Sequence, residues 1–197
     1  MARLVLAVGS VLGATLVGAE PPQSTWRVVI VGDIRSSGTE TQPIRGAKDT
    51  KMAPAWGARP MTKEQFAALG VDWAAFSAKS AAAASAELAM LKPELIRDRN
   101  QVIECAILRS KTPADDITAA VLAPDFLQRF TPLFGRKMLV AIPDRRTVYL
   151  FPRLASRYGD YGARVLAVYQ KSECPVSREL FELSAAGLRA IGAYGEP

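Results

Sequence analysis

The sequence predicts an α+β domain: a mixed or mainly antiparallel sheet packed by helices. Three observations predict it. Two apolar runs, Met138–Ile142 and Val148–Phe151, flank Pro143-Asp144-Arg145-Arg146. Both have strand length and are rich in β-branched and aromatic residues, so 137–151 reads as a central hairpin. From Trp73 to Leu91, apolar residues recur at steps of three and four, the period of a helix. Strands and helices then follow one another in mixed order, with neighbouring hairpins rather than strict β-α-β alternation.

Taken from the start, residues 1–19 read as a secretory signal peptide. Arg3 supplies the positive end, Leu4–Leu16 the apolar stretch, and Val17-Gly18-Ala19 the small residues before a cut at Glu20. The alternative is an uncleaved anchor, for which Leu4–Ala19 is short. The expectation is export to a periplasm or the cell exterior, with no transmembrane segment left after cleavage. Residues 20–60 read as an N-terminal strand, Thr25–Val31, followed by a long surface loop or an extended arm over 36–60. Gly32–Thr39 lacks the spacing and the Gly-Lys-Ser/Thr of a phosphate loop. Residues 61–197 hold the α+β domain, and 20–197 reads as one structural domain.

Thr62 and Gln65 have the spacing of a capping box for a short helix ending near Leu69, with Gly70 beyond it. Asp72 caps a second helix. Its stripe is Trp73, Phe76, Ser80, Ala84, Leu88 and Leu91, and Ala81–Ala84 lets it lie close to a neighbour. Gln101–Leu108 alternates as a strand. Ile117–Leu122 reads as its hairpin partner, in preference to a helix starting at Pro113. Pro124 opens a helix to Phe134, with Phe126, Leu127, Phe130 and Leu133 inward and Gly135 at its end. After the central hairpin, Leu154–Gln170 reads as helix, broken at Gly159 or Gly162. Leu180–Ile191, turning at Ala185-Ala186-Gly187, reads as a closing hairpin; a helix from Ser177 is the alternative.

The chain has 197 residues and no histidine. That removes Ser-His-Asp and Cys-His nucleophilic sites and most zinc sites. No cofactor, metal site or catalytic residue is predicted. Asp115 and Asp116 are adjacent, but a paired-carboxylate site needs a further group from elsewhere in the chain. Cys105 and Cys174, the two cysteines, are a candidate disulfide in an exported protein; the alternative is two buried small hydrophobes.

The order of motifs resembles the YtpQ-like family of bacterial proteins with a domain of unknown function. The segments that carry the likeness are the two-helix stretch Met61–Leu91, the Pro-Asp-Phe-Leu helix, Met138–Arg145, Leu150-Phe151-Pro152 and Cys174-Pro175-Val176-Ser177. The resemblance covers roughly residues 61–192. It implies no established activity and no catalytic residues. The export signal and the 20–60 segment depart from the family pattern.

The formal charge is +6, falling to +5 if residues 1–19 are removed. Eight cations between Arg129 and Arg164 face two acids, Asp144 and Asp160. Seven of the eight are arginine, suited to carboxylate or phosphate. Arg145 and Arg146 fall at the hairpin turn. Arg136 and Arg153 fall at its opposite end, roughly a strand length away. The alternative to an anion site is solubilising charge on strand edges. The expected function is a non-catalytic interaction module that docks an acidic protein or an anionic envelope component through Arg145, Arg146, Arg136 and Arg153. The rival is a hydrolase built on carboxylates, which requires a pocket holding two acids with raised pKa. Nucleic acid is not an expected partner, given export and few aromatics among the arginines.

Overall fold

The computed structural model describes residues 25–33, 36–112, 115–154 and 158–195. The sequence-predicted signal peptide lies outside these residues. Strand β1, Trp26–Gly32, runs antiparallel to β3, Thr50–Trp56, with Val29 opposite Ala53. Two short strands complete this four-stranded sheet, β2 at Gln42–Pro43 and β4 at Arg59–Pro60; each pairs with β3. The 36–60 segment is therefore sheet in large part, not one long surface loop. Pro54 falls between the spans of β2 and β4 on β3, where its missing N–H costs no ladder bond on that edge. Its carbonyl accepts the Met61 N–H at 2.8 Å.

Helix α1, Lys63–Ala68, starts at the capping box read from the sequence: Thr62 Oγ1 accepts the Gln65 N–H, and Gln65 Oε1 accepts the Thr62 N–H. Asp72 accepts the Ala75 N–H and caps α2, Trp73–Met90. The buried stripe of α2 is Phe76, Ser80, Ala84 and Leu88. Phe76 stacks on Trp26 of β1, with ring centroids 4.9 Å apart. β1 is covered from two sides. Trp26 and Val28 pack with Phe76 and Met61, while Val29 and Val31 pack with Ala53, Ala55 and Ala119.

The second sheet has six antiparallel strands. In chain order they are β5 (Glu94–Arg97), β6 (Ile103–Arg109), β7 (Met138–Asp144), β8 (Thr147–Pro152), β9 (Glu179–Ser184) and β10 (Gly187–Ala193). Their spatial order is β10-β9-β7-β8-β6-β5, so the predicted hairpin occupies the middle. Val140 lies opposite Leu150, and both strands are buried almost throughout. The turn is tighter than Pro-Asp-Arg-Arg: Pro143 and Asp144 belong to β7, and Arg145-Arg146 alone reverse the chain. The pairing shifts between Ala141 and Asp144. There the carbonyls of Ile142 and Pro143 accept the N–H groups of Ser177 and Val176 instead.

Ile117–Leu122 does not pair with β6. It forms α3, Thr118–Val121, whose residues are all buried, and β6 pairs with β5 and β8. Helix α4, Phe126–Phe134, buries Phe126, Phe130 and Phe134, and Gly135 ends it at φ +81. A 3₁₀ turn, Tyr158–Tyr161, leads into α5, Gly162–Lys171. β9 and β10 are the closing hairpin, with a register shift between Ala190 and Gly192.

One cluster joins the parts: Ile30 of the small sheet, Leu88 of α2, Phe126 and Phe130 of α4, and Leu108, Val140, Leu150 and Phe181 of the large sheet. A second cluster, with Leu139, Tyr149 and Phe151, lies under Val165 of α5. Helices thus cover the large sheet over two separate apolar clusters, the α+β arrangement the sequence predicts. No helix among the described residues is long and apolar enough to cross a membrane.

Cys105 and Cys174 are both free thiols, so the candidate disulfide does not form in this fold. Cys105 is enclosed with Tyr149, Phe151 and Val165, and burial pushes its thiol up to about 12. Cys174 is half-buried on the segment before β9, where its carbonyl meets the Arg145 N–H.

Candidate functional site

The arginines that the sequence groups together separate into different jobs. Arg129 reaches back from α4 to the C-terminal end of α2. Its Nη1 donates to the Leu88 carbonyl and its Nη2 to the Leu91 carbonyl. The Leu88 carbonyl also accepts the Leu91 N–H at 3.1 Å, and the end of a helix attracts positive charge. Arg164 lies over the Tyr161 ring, 5.8 Å from its centroid. Arg157 is outside the described residues.

Arg145 and Arg146 are half-buried at the turn and do not form a free tip. The Arg145 carbonyl accepts the Ile117 N–H at 2.8 Å, and the Arg146 carbonyl accepts the Ser110 N–H at 3.0 Å. The Arg146 N–H donates to Asp144 Oδ1 at 3.0 Å. Ser110 and Ile117 therefore flank the turn on one side, and segment 174–177 on the other.

The opposite end of the large sheet is where cations gather. The β9–β10 pairing sets Arg189 opposite Glu182, and the β7–β9 pairing sets Glu182 opposite Leu139. Arg153, just past β8, donates through Nε to Glu182 Oε2, while Arg189 Nη2 donates to Glu182 Oε1 at 3.1 Å. Both arginines keep over two-fifths of their side-chain surface open. Arg153's hydrogen bond, with the charges of Arg153, Arg189 and Lys137, holds the Glu182 carboxyl below the usual range. Arg136 and Lys137 are exposed beside this group. Three cations thus surround one carboxylate, with Arg136 next along the chain. Of the four predicted site residues, Arg136 and Arg153 belong to this end and Arg145 and Arg146 do not. Sequence reasoning missed Glu182 and Arg189. A two-residue Ala185-Ala186 turn would have set them in register.

A different site collects acids. A cleft of about 540 Å³ is lined by Arg27 of β1, Glu87 of α2, and Asp115 and Asp116. Ala83, Ala86 and Gly57 keep its walls low. Arg27 Nη1 donates to Glu87 Oε2. Asp116 Oδ1 accepts the Thr118 N–H and hydroxyl, at 3.0 and 2.6 Å. Asp115 Oδ2 accepts the Ser110 hydroxyl at 2.6 Å. Burial pushes the Glu87 carboxyl up to about 7, helped by Asp116 and Asp115 and opposed by Arg27. This is the further acid that the Asp115-Asp116 pair lacked in sequence; it comes from the α2 face flanking the buried stripe. Among the described residues, no group of three or more His, Cys, Asp or Glu side chains is placed to hold a metal ion.

No protein-family model matches the chain, and no curated protein or solved structure matches it.

Proposed function

We propose that the protein is an exported, non-catalytic interaction module that docks an acidic partner on the basic end of its six-stranded sheet. The observation that carries the reading is the grouping of Arg153, Arg189 and Lys137 about the single carboxylate of Glu182, with Arg136 exposed alongside. The group carries a net positive charge on or next to strand ends, so an acidic surface meets it with little reordering. Export is supported by the Arg3 to Ala19 pattern. The likeness to the YtpQ-like family adds no activity to this reading.

The test is retention of partners from envelope extract by the immobilised chain from Glu20 onward, across a salt titration. R136E with R153E is expected to abolish retention that wild type shows at low salt and loses at high salt. Retention unchanged by the double variant, or insensitive to salt, sinks the proposal.

A second reading, carboxylate chemistry, is favoured by Glu87. A carboxyl that titrates near 7 beside Asp115 suits proton transfer at neutral pH. Turnover of nitrophenyl ester or glycoside substrates that disappears in Glu87→Gln, without loss of folding, would support it. No turnover in wild type across the panel counts against it.

A further inference from the structure

The antiparallel pairing of the large sheet brings four chain segments to one of its ends. Met138, which opens β7, lies opposite Pro152 at the end of β8 and Leu183 near the end of β9. β9 turns into β10 at this end, and α4 enters β7 here through Gly135-Arg136-Lys137. Ala106 pairs with Leu150, so the turn from β5 into β6 falls beside the end of β8. From β6 to β10 is four strand spacings, which makes this end roughly 20 Å across.

Apolar side chains stand out of it. Leu154, just past β8, is 91% exposed; Val102, just before β6, is 60% exposed; Leu133, in the last turn of α4, is 36% exposed. None of the three belongs to a core cluster, so the fold makes no use of them. The other large apolar side chains as open as these are Met90 on α2 and Leu95 and Ile191 within the edge strands. The Val102 tip is also fixed in advance. Asp98 Oδ1 accepts the N–H groups of Asn100 and Val102, each at 2.8 Å, and the Val102 carbonyl accepts the Asp98 N–H at 2.9 Å. A tip already ordered loses little freedom on contact.

The cations at this end are Arg97, Arg99, Arg136, Lys137, Arg153 and Arg189, against the acids Asp98, Glu104 and Glu182. With every ion pair counted, three positive charges remain in excess. Asp160 and Arg164, on either side of Tyr161, add one of each sign. Each apolar tip has a cation within three residues on its own segment: Val102 and Arg99, Leu133 and Arg136, Leu154 and Arg153. Apolar tips spread over separate segments do not make one pocket for a partner's side chain. They suit a surface that is anionic outside and apolar a few ångströms beneath, where guanidinium groups meet phosphates and the tips reach the acyl boundary.

We infer that this end of the sheet rests on an anionic phospholipid bilayer, with Leu154 and Val102 entering the acyl boundary and Arg136, Lys137, Arg153 and Arg189 meeting the headgroup phosphates. The inference rests on the basic end proposed above as the docking surface, and names its partner as lipid rather than protein.

The experiment is sedimentation with vesicles of phosphatidylcholine and phosphatidylglycerol in equal parts, and with vesicles of phosphatidylcholine alone. The chain starts at Glu20, which keeps every described residue and omits the apolar Leu4–Leu16, whose own affinity for lipid would mask the effect. Binding to the mixed vesicles is expected to be at least tenfold tighter than to phosphatidylcholine, and to weaken as salt rises. Leu154→Ser with Val102→Ser keeps every charge and is expected to weaken it at least tenfold. Circular dichroism checks that this variant folds; should it not, Leu154→Ser alone carries the test. Vesicle affinity unchanged by the serine substitutions overturns the inference, as does equal binding to both vesicles or binding to neither. So does displacement by free glycerol phosphate at matched ionic strength, which would mark a simple anion site. Retention of an acidic protein that Arg136→Glu with Arg153→Glu abolishes, without vesicle binding, sinks the lipid assignment and leaves the docking reading standing. Loss of both retention and vesicle binding in wild type sinks both.

Discussion

The hydroxyls of Thr50 and Ser177 lie 2.6 Å apart, both buried, at the place where the small sheet meets the large one. They are 127 residues apart in the chain, so this contact exists only once both sheets have formed. Thr50→Val removes one donor and is expected to cost about 1–2 kcal/mol. Ser177→Ala should cost more, because the Glu179 N–H loses its acceptor as well. Urea unfolding of the two variants ranks them, and a smaller loss for Ser177→Ala would contradict this account.

Glu87 sets a pH dependence. Its carboxyl titrates near 7 in the folded chain against an ordinary value of 4.5. The folded state thus holds this proton more tightly than the unfolded state. The associated stability is fully present below pH 4.5 and is lost as pH rises through 7, by roughly 3 kcal/mol in all. Glu87→Gln cannot titrate, so the difference between its stability and that of wild type should change across this window. Unfolding curves at half-unit pH steps from 4 to 8 measure the difference; a constant offset would refute it.

Gly32 closes β1 against the Val176 carbonyl. Gly32→Ala places a methyl inside that contact, and backbone on the far side cannot swing away. The expected loss is about 1–3 kcal/mol, the usual cost of overpacking. Gly57→Ala makes the comparison. Gly57 has open space around it but φ +57, so its loss of roughly 1 kcal/mol reflects backbone strain alone. Melting temperatures of the pair should fall in that order.

Arg129 and Arg153 look alike in sequence and should behave oppositely. Arg129→Met uncaps the Leu88 and Leu91 carbonyls and is expected to cost about 1–3 kcal/mol while leaving partner retention intact. Arg153→Met should weaken retention with little change in unfolding midpoint. Pull-down and denaturant titration on both variants separate the roles.

The hairpin was legible because its two runs are dense in branched and aromatic side chains, and Thr62, Asp72 and Gly135 announced helix ends through side-chain and backbone chemistry. Thr118–Val121 was not legible. Four residues, three of them apolar, are too few to separate a helical turn from a strand, and burial between β1 and α2 decides the matter. β3 hid behind Pro54 and two alanines, poor strand formers that β1 recruits from across the sheet. The basic end was half legible. Arg136 and Arg153 stood out, but Glu182 and Arg189 come from a later hairpin, with Glu182 29 residues beyond Arg153. The acidic cleft was hidden for the same reason, since Glu87, Asp115 and Arg27 meet only after α2 has packed on β1.

The register shift at Ile191 governs how the molecule treats its own copies. β10 forms one rim of the large sheet, and the extra residue kinks that rim, so its outward amides present no straight row for another chain to match. The other rim, β5, is four residues long and carries Glu94 and Arg97. Neither border thus offers a long, straight row of amides for a further strand to follow.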